Sequence, residues 1–344
     1  MEKQHLVGKT LEELQEVAAS CGMPSFAAKQ LAQWIYVRRV NDIEAMTNIS
    51  KAHRALLAET YDVGYYVPSH AMQSIDGTAK YLYDVGATSG VEAVYIPDRQ
   101  RATLCVSSQV GCKMNCYFSM TGKQGFTRNL TSHEIINQIV SVPKSETLTN
   151  LVFMGMGEPL DNLEELLKAL RILTETWGMA WSPRRITVST IGYRPGLRRF
   201  IEETECHLAL SLHAPYPEQR GEVMPVEKAF PIKELLATLR EYDWSHQRRL
   251  SFEYIVFRDF NDSIKHADAL VKLLGGIPCL VNLIRFHAIP GVDLKTSDMT
   301  QIEAFRDRLN ERGVTATIRA SRGEDIFAAC GMISAAKQEE INKK

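Results

Sequence analysis

The apolar positions of this chain change their period twice, and the changes divide it into three stretches. Over residues 1–64 they recur at helical spacing, with Phe26, Ala27, Leu31, Trp34 and Ile35 falling on one face. Thr10 and Glu13 form a Thr-x-x-Glu box that opens a helix at Leu11, and Ser50 is placed to cap another over 51–59. Over residues 65–97 the period drops to two. Lys80, Tyr81, Leu82 and Tyr83 lead into Asp84, and the alternation resumes over 90–96 after small turn residues, which predicts a few antiparallel strands. Beyond 98, short apolar runs alternate with amphipathic stretches. Strands are predicted at 102–106, 150–154, 185–189, 207–212, 250–257, 280–285 and 314–319. Helices are predicted at 132–142, 162–177, 194–202, 231–242, 263–274 and 298–312, the first capped by Thr131 with Glu134.

Strand–helix alternation at this spacing builds a parallel sheet, because parallel neighbours need a crossover between them. Six such units and a seventh strand predict an α/β core over 98–325, a partial (β/α)6 barrel. An N-terminal helical domain (1–64), a small antiparallel β extension (65–97) and a C-terminal segment (326–344) complete the division. In barrels of this kind the chemistry sits at the C-terminal ends of the strands.

Composition changes this picture little. With 45% hydrophobic and 24% charged residues over 344 positions, the chain is an ordinary globular one with room for a large domain and a smaller one. No apolar run reaches bilayer length and the N-terminus has no signal-like segment, so a cytoplasmic protein without a membrane partner is expected. A net charge of −1 argues against a wholly basic nucleic-acid-binding surface. Arginines do cluster, at 184–185, 194, 198–199 and 248–249, and Lys113, Lys123 and Arg128 surround one loop, although a charge run is more often a solvated face. The seven cysteines, an odd number, point to metal binding or catalysis rather than to a disulfide framework.

The candidate chemistry gathers at the predicted strand ends. After the first barrel strand, Cys112 and Cys116 stand four apart, and Ser119 occupies the place where a third cysteine would complete Cys-x3-Cys-x2-Cys. That triplet holds three corners of a [4Fe-4S] cluster by thiolate and leaves the fourth iron open. The second strand runs into Gly155-Met156-Gly157-Glu158-Pro159, where glycine lets backbone approach a ligand and Glu158 offers a carboxylate to an amino group. Taken alone it is as readily a Gly-Pro turn with a solvated acid. The third strand ends in Ser189-Thr190 and the fourth in Ser211-Leu212-His213. Each is weak singly; polar residues at four successive strand ends favour a site.

In this order and at these spacings the motifs resemble the radical S-adenosylmethionine RNA methyltransferases that modify carbon 2 of adenine, the RlmN/Cfr type. The resemblance runs from Phe26, Gln30, Trp34 and Met46-Thr47-Asn48-Ile49-Ser50 through Val91-Glu92, Leu104 to Cys112, Gln124-Gly125-Phe126, and the Gly155 to Pro159 turn. It continues through Val188-Ser189-Thr190 and Leu210 to Ala214, and ends at Arg322-Gly323-Glu324-Asp325-Ile326-Phe327-Ala328-Ala329-Cys330-Gly331. The resemblance implies that Cys112, Cys116 and the residue at 119 hold the cluster. S-adenosylmethionine would chelate its open iron, with Gly157, Glu158, Ser189, Ser211, Leu212 and His213 around it. His287 stands where the family usually has asparagine. Cys330 resembles the methyl-carrying cysteine, Glu92 the proton acceptor, and Cys105 the thiol that releases the covalent RNA adduct by disulfide formation. A radical generated from a second S-adenosylmethionine would activate the methyl on Cys330 for addition to the base. Cys21, Cys206 and Cys279 match no functional position and read as packing residues. The helical domain resembles the family's RNA-docking domain. Ribosomal RNA, with transfer RNA as a second candidate, is the expected substrate, flavodoxin or ferredoxin the electron donor, and a monomer the expected state.

Ser119 departs from the family pattern. A hydroxyl is far less acidic than a thiol and a harder donor, so it weakens cluster binding. Three readings stand: a cysteine-to-serine change in an otherwise active enzyme, a serine oxygen ligating a less stable cluster, or a cluster-free homologue that only binds RNA. The persistence of Cys105, Glu158 and Cys330 favours the first two, with radical generation impaired. A zinc module on Cys112 and Cys116 is disfavoured by the x3 spacing and the lack of paired ligands nearby.

Overall fold

The computed structural model describes residues 3–86, 89–245 and 248–328. Ten strands form its main sheet: β1 (His70–Gln73), β2 (Ala79–Asp84), β3 (Gly90–Asp98), β4 (Arg101–Cys105), β5 (Asn150–Phe153), β6 (Ile186–Thr190), β7 (His207–Ser211), β8 (Leu250–Val256), β9 (Leu280–Arg285) and β10 (Thr315–Arg319). Their order in space is their order in sequence. β1 to β4 pair antiparallel, and β4 to β10 all pair parallel. The two edges, β1 and β10, do not meet, so the sheet is open.

Six helices make the crossovers: Ser132–Ser141, Leu163–Thr174, Arg194–Glu203, Ile232–Leu239, Ile264–Leu274 and Met299–Glu311. Each buries one apolar stripe on the sheet, as Leu166, Leu167, Leu170 and Leu173 do for the second. Both predicted capping boxes are present, Thr10 with Glu13 and Thr131 with Glu134. Two helices end earlier than their patterns predict. After Thr174 the chain folds back so that the Met179 N–H reaches the Ile172 carbonyl (2.8 Å), and the Trp244 indole takes the Leu239 carbonyl (2.7 Å).

The antiparallel strands are not a separate sheet: β3 pairs with β4 from Val94–Cys105 to Asp98–Arg101. The N-terminal helices Leu11–Ser20, Ala27–Ala32 and Lys51–Thr60 share one apolar core with the barrel. Ser132 donates to the Gly8 carbonyl (2.8 Å), and Lys168 meets Glu13 (2.8 Å), across that junction. Among the described residues no helix is long and apolar enough to cross a membrane.

Register fixes what shares the rim. Thr190 lies opposite Leu210, Ser211 opposite Glu253, and Glu253 opposite Asn282, so the ends of β6 and β7 come level with the middle of β8 and β9.

Candidate active site

The loop carrying Cys112 and Cys116 leaves a two-stranded ribbon, Gln109–Gly111 paired with Phe126–Asn129. Gly111 sits at φ +75°, and a Cβ there would lie 1.8 Å from the Gly125 carbonyl oxygen. Only glycine closes this loop, which the Cys112 N–H completes by donating to the same carbonyl (2.8 Å). The Tyr117 N–H donates to the Val223 carbonyl (2.9 Å) and anchors the far side. Ser119 accepts from the Gly122 N–H (3.4 Å) and caps the short turn Met120–Lys123. Burial pushes the thiols of Cys112 and Cys116 up to about 11 and about 12. Thiols raised in this way ionise most readily beside a compensating cation, which a metal cluster supplies.

These residues open onto a cavity of about 920 Å³, mouth included, that Gly157, Glu158, Ser189, Thr190, Ser211 and His213 also line. Gly157 has φ +100°, and a Cβ there would meet the Gln109 Cβ at 2.5 Å. The Glu158 N–H donates to Gln109 Oε1 (2.8 Å). The Glu158 carboxylate accepts from the Thr190 hydroxyl (2.6 Å) and the N–H groups of Ile191 (2.9 Å) and Leu160 (3.1 Å). Burial nevertheless pushes this carboxyl up to about 7, against the pull of those bonds. A buried acid poised there favours a cationic partner.

His213 is buried at φ +58°, and its Nδ1 accepts from the Ile255 N–H (3.0 Å). The proton of the neutral ring therefore sits on Nε2, and burial together with the Arg220 charge lowers the ring to about 3. His213 is a neutral hydrogen-bond donor throughout the working pH range. Arg220, fully buried and paired with Glu227, donates to the carbonyls of Ile191 (2.9 Å) and Ser211 (3.1 Å). It ties together the loops that follow β6 and β7.

Comparison with known proteins decides the family. Residues 4–63 match the ribosomal RNA large subunit methyltransferase N-terminal domain, and 106–271 match the radical SAM superfamily. The "Probable dual-specificity RNA methyltransferase RlmN" of Parabacteroides distasonis is 64% identical, covering 98% of each chain. The "Dual-specificity RNA methyltransferase RlmN" of Dinoroseobacter shibae is 42% identical over 98% of this chain and 90% of its own. A crystal structure of a radical SAM methyltransferase from Sphaerobacter thermophilus superposes with a TM-score of 0.90 at 40% identity, covering 96% of this chain and 99% of that one.

The chain belongs to the RlmN family of radical SAM RNA methyltransferases. Such enzymes use a [4Fe-4S] cluster and S-adenosylmethionine. The RlmN cavity of this chain fits that pair at two corners, where Cys112 and Cys116 supply soft donors, and departs at the third, where Ser119 supplies an oxygen. Among the described residues no three His, Cys, Asp or Glu side chains are placed to hold a metal ion.

Two residues expected around the cofactor fall elsewhere. Strand alternation sends Ser211 to the cavity and its neighbour Leu212 into the core. His287 lines a second cavity of about 710 Å³, with Cys105, Arg319, Ser321 and Ala328. Its Nε2 is 3.0 Å from the Ser321 hydroxyl and its Nδ1 3.5 Å from Glu324 Oε2. The two cavities adjoin, since Met154, Ile284 and Arg319 line both. Glu92 is buried beside Lys80, its Oε1 3.3 Å from Nζ. Cys330 lies outside the described residues, two positions beyond Ala328.

Sequence reasoning missed Glu253 and Arg319, which meet at 3.4 Å on the cavity wall. The signal was there: Glu253 is an acid inside the apolar run Leu250–Val256. The arginine clusters do not crowd the mouth. Arg194 and Arg198 are held by Glu234 (2.6 Å) and Glu241 (2.7 Å), and Arg199 by Glu164 and Glu203. Arg184–Arg185 and Arg248–Arg249 precede β6 and β8, at the opposite end of the sheet.

Proposed function

We propose that this chain methylates carbon 2 of adenine in ribosomal RNA, and in transfer RNA, with Cys330 as the methyl carrier. The observation that carries the reading is the meeting of Cys112, Cys116 and Ser119 with Gly157, Glu158, Ser189, Ser211 and His213 on one cavity, with Cys105 on the cavity next to it. Cys112, Cys116 and Ser119 would hold the cluster, which supplies the electron for reductive cleavage of S-adenosylmethionine. Glu158 would pair with the amino end of that cofactor, and the His213 Nε2–H and the serine hydroxyls would orient it. Glu92 takes the proton that the methylated carbon must lose, and Cys105 releases the RNA by pairing with Cys330. Residues 1–64 dock the RNA, and flavodoxin or ferredoxin delivers electrons to a monomeric enzyme in the cytoplasm.

Ser119 lowers the output of this machinery. Its hydroxyl is a poor third donor and already caps Met120–Lys123. That observation favours a second reading, an RNA-binding homologue without the cluster. Anaerobic reconstitution with iron and sulfide separates the two. Visible absorption and a paramagnetic signal on reduction, in this chain or in Ser119→Cys, support the enzyme; absence from both leaves the binding protein. Mapping methylated adenines in total RNA from cells with and without the chain, beside the Ser119→Cys form, tests substrate and position. A methyl on Cys330, read by mass spectrometry of Ser119→Cys, tests the carrier.

A further inference from the structure

The turn between β1 and β2 and the segment after β10 lie some 250 residues apart in sequence, yet they hold each other through polar contacts. Ser74 Oγ donates to Asp325 Oδ1 (2.5 Å), and the Ile75 N–H donates to Asp325 Oδ2 (3.2 Å). In return the Gly323 N–H donates to Asp76 Oδ2 (2.9 Å). Arg322 reaches Asp98 of β3 (3.3 Å). Gly323 is at φ +63°, and a Cβ there would lie 2.8 Å from the Ala328 Cβ and 2.9 Å from Thr78 Cγ2, so the segment passes flush against the turn. The Ala328 N–H closes back on the Gly323 carbonyl (2.9 Å).

Lys80, on β2 just past that turn, sits at the centre of this clamp. Only 5% of its side chain is exposed. Its Nζ lies 3.3 Å from Glu92 Oε1 and donates to the Phe327 carbonyl (3.5 Å). Burying an ammonium is unfavourable unless it is paired, and an apolar residue would fill the same space at lower cost. What the ammonium adds is a joint: one end of it holds the acid read above as the proton acceptor, the other the chain three residues before Cys330.

We propose that Lys80 is a positioning residue for methyl delivery, supported by Ser74 and Asp76, and that it fixes residues 322–328, which precede Cys330 in the chain, relative to Glu92 and the Cys105 cavity. The inference rests on the roles proposed above for Cys330, Glu92 and Cys105.

The test needs no cluster. The full chain is exposed to oxidised glutathione, and the Cys105–Cys330 disulfide is followed by mass spectrometry of unreduced peptides. Two thiols are oxidised, and one glutathione disulfide is reduced to two glutathiones. Lys80→Met keeps the aliphatic stem and drops the ammonium; Asp76→Asn loosens the half-buried turn without touching Lys80. The expected result is a disulfide in the parent chain, formed at least tenfold more slowly in Lys80→Met and severalfold more slowly in Asp76→Asn. The comparison is made well below each variant's melting temperature, so loss of stability alone does not move the rate. Should Lys80→Met fail to fold, Lys80→Leu takes its place, and Asp76→Asn tests the support from the turn. A disulfide that forms at the parent rate in the folded variants overturns the inference. A parent chain that never forms it removes instead the roles given to Cys105 and Cys330, and the inference with them.

Discussion

One oxygen in place of one sulfur at Ser119 separates this cavity from the three-cysteine donor set of a [4Fe-4S] site. The serine serves the local backbone well, since hydroxyls are favoured caps, but it gives iron a hard, weakly acidic donor. Ser119→Cys is therefore expected to raise bound iron after reconstitution to near four per chain and product formation by at least tenfold. Iron assay and methyl mapping check it. A second residue-scale prediction concerns Glu158. Its carboxyl stands at about 7 when folded, against 4.5 unperturbed. A carboxyl raised on folding stabilises the protein fully below the unfolded value, and that stabilisation is lost as pH climbs through the folded one. The shift corresponds to about 3 kcal/mol. Without cofactor, the melting temperature should fall between about pH 5 and pH 8, and Glu158→Gln should flatten that fall. Scanning calorimetry across the range shows whether it does.

At the scale of elements, the regular parts were legible because local signals and tertiary structure agree. Capping boxes at Thr10 and Thr131 start helices where predicted, and β9 is found over Leu280–Arg285 as its apolar run predicts. The cofactor rim was legible for a different reason: its residues sit at strand ends, and parallel register brings strand ends together. What stayed hidden are partners joined across long separations. Nothing in the local pattern says that Lys80 meets Glu92 and Phe327, or that Arg220 turns inward to Ile191 and Ser211. A polar residue in an apolar stretch shows only that some partner exists. Arg220 makes the point testable. Arg220→Met strands the buried Glu227 and frees both rim loops, and should cost about 3–5 kcal/mol in chemical denaturation. Adding Glu227→Met should recover a large part of that loss, since no unpaired charge is then left inside.

For the molecule as a whole, the question is how a chain of net charge −1 engages RNA. Among the described residues, Arg194, Arg198 and Arg199 on the helix after β6 are each paired with glutamates. With a net charge of −1, affinity is expected to lean more on shape and stacking than on released counterions, and binding to be less salt-dependent than for a basic protein. In the N-terminal domain, proposed above to dock the RNA, Phe26 is an exposed aromatic side chain on which stacking can be tested. Phe26 is 61% exposed there, whereas Trp34, with Arg38 over its ring at 4.2 Å, is buried. Stacking on an aromatic side chain contributes about 1–3 kcal/mol per base. Phe26→Ala, which removes no core contact of note, should leave the melting temperature within about a degree while weakening RNA binding roughly tenfold. Filter binding of substrate RNA over a range of salt concentrations reads both quantities at once. A loss of affinity that persists at high salt assigns Phe26 to stacking; unchanged affinity moves the docking surface off this face of the domain.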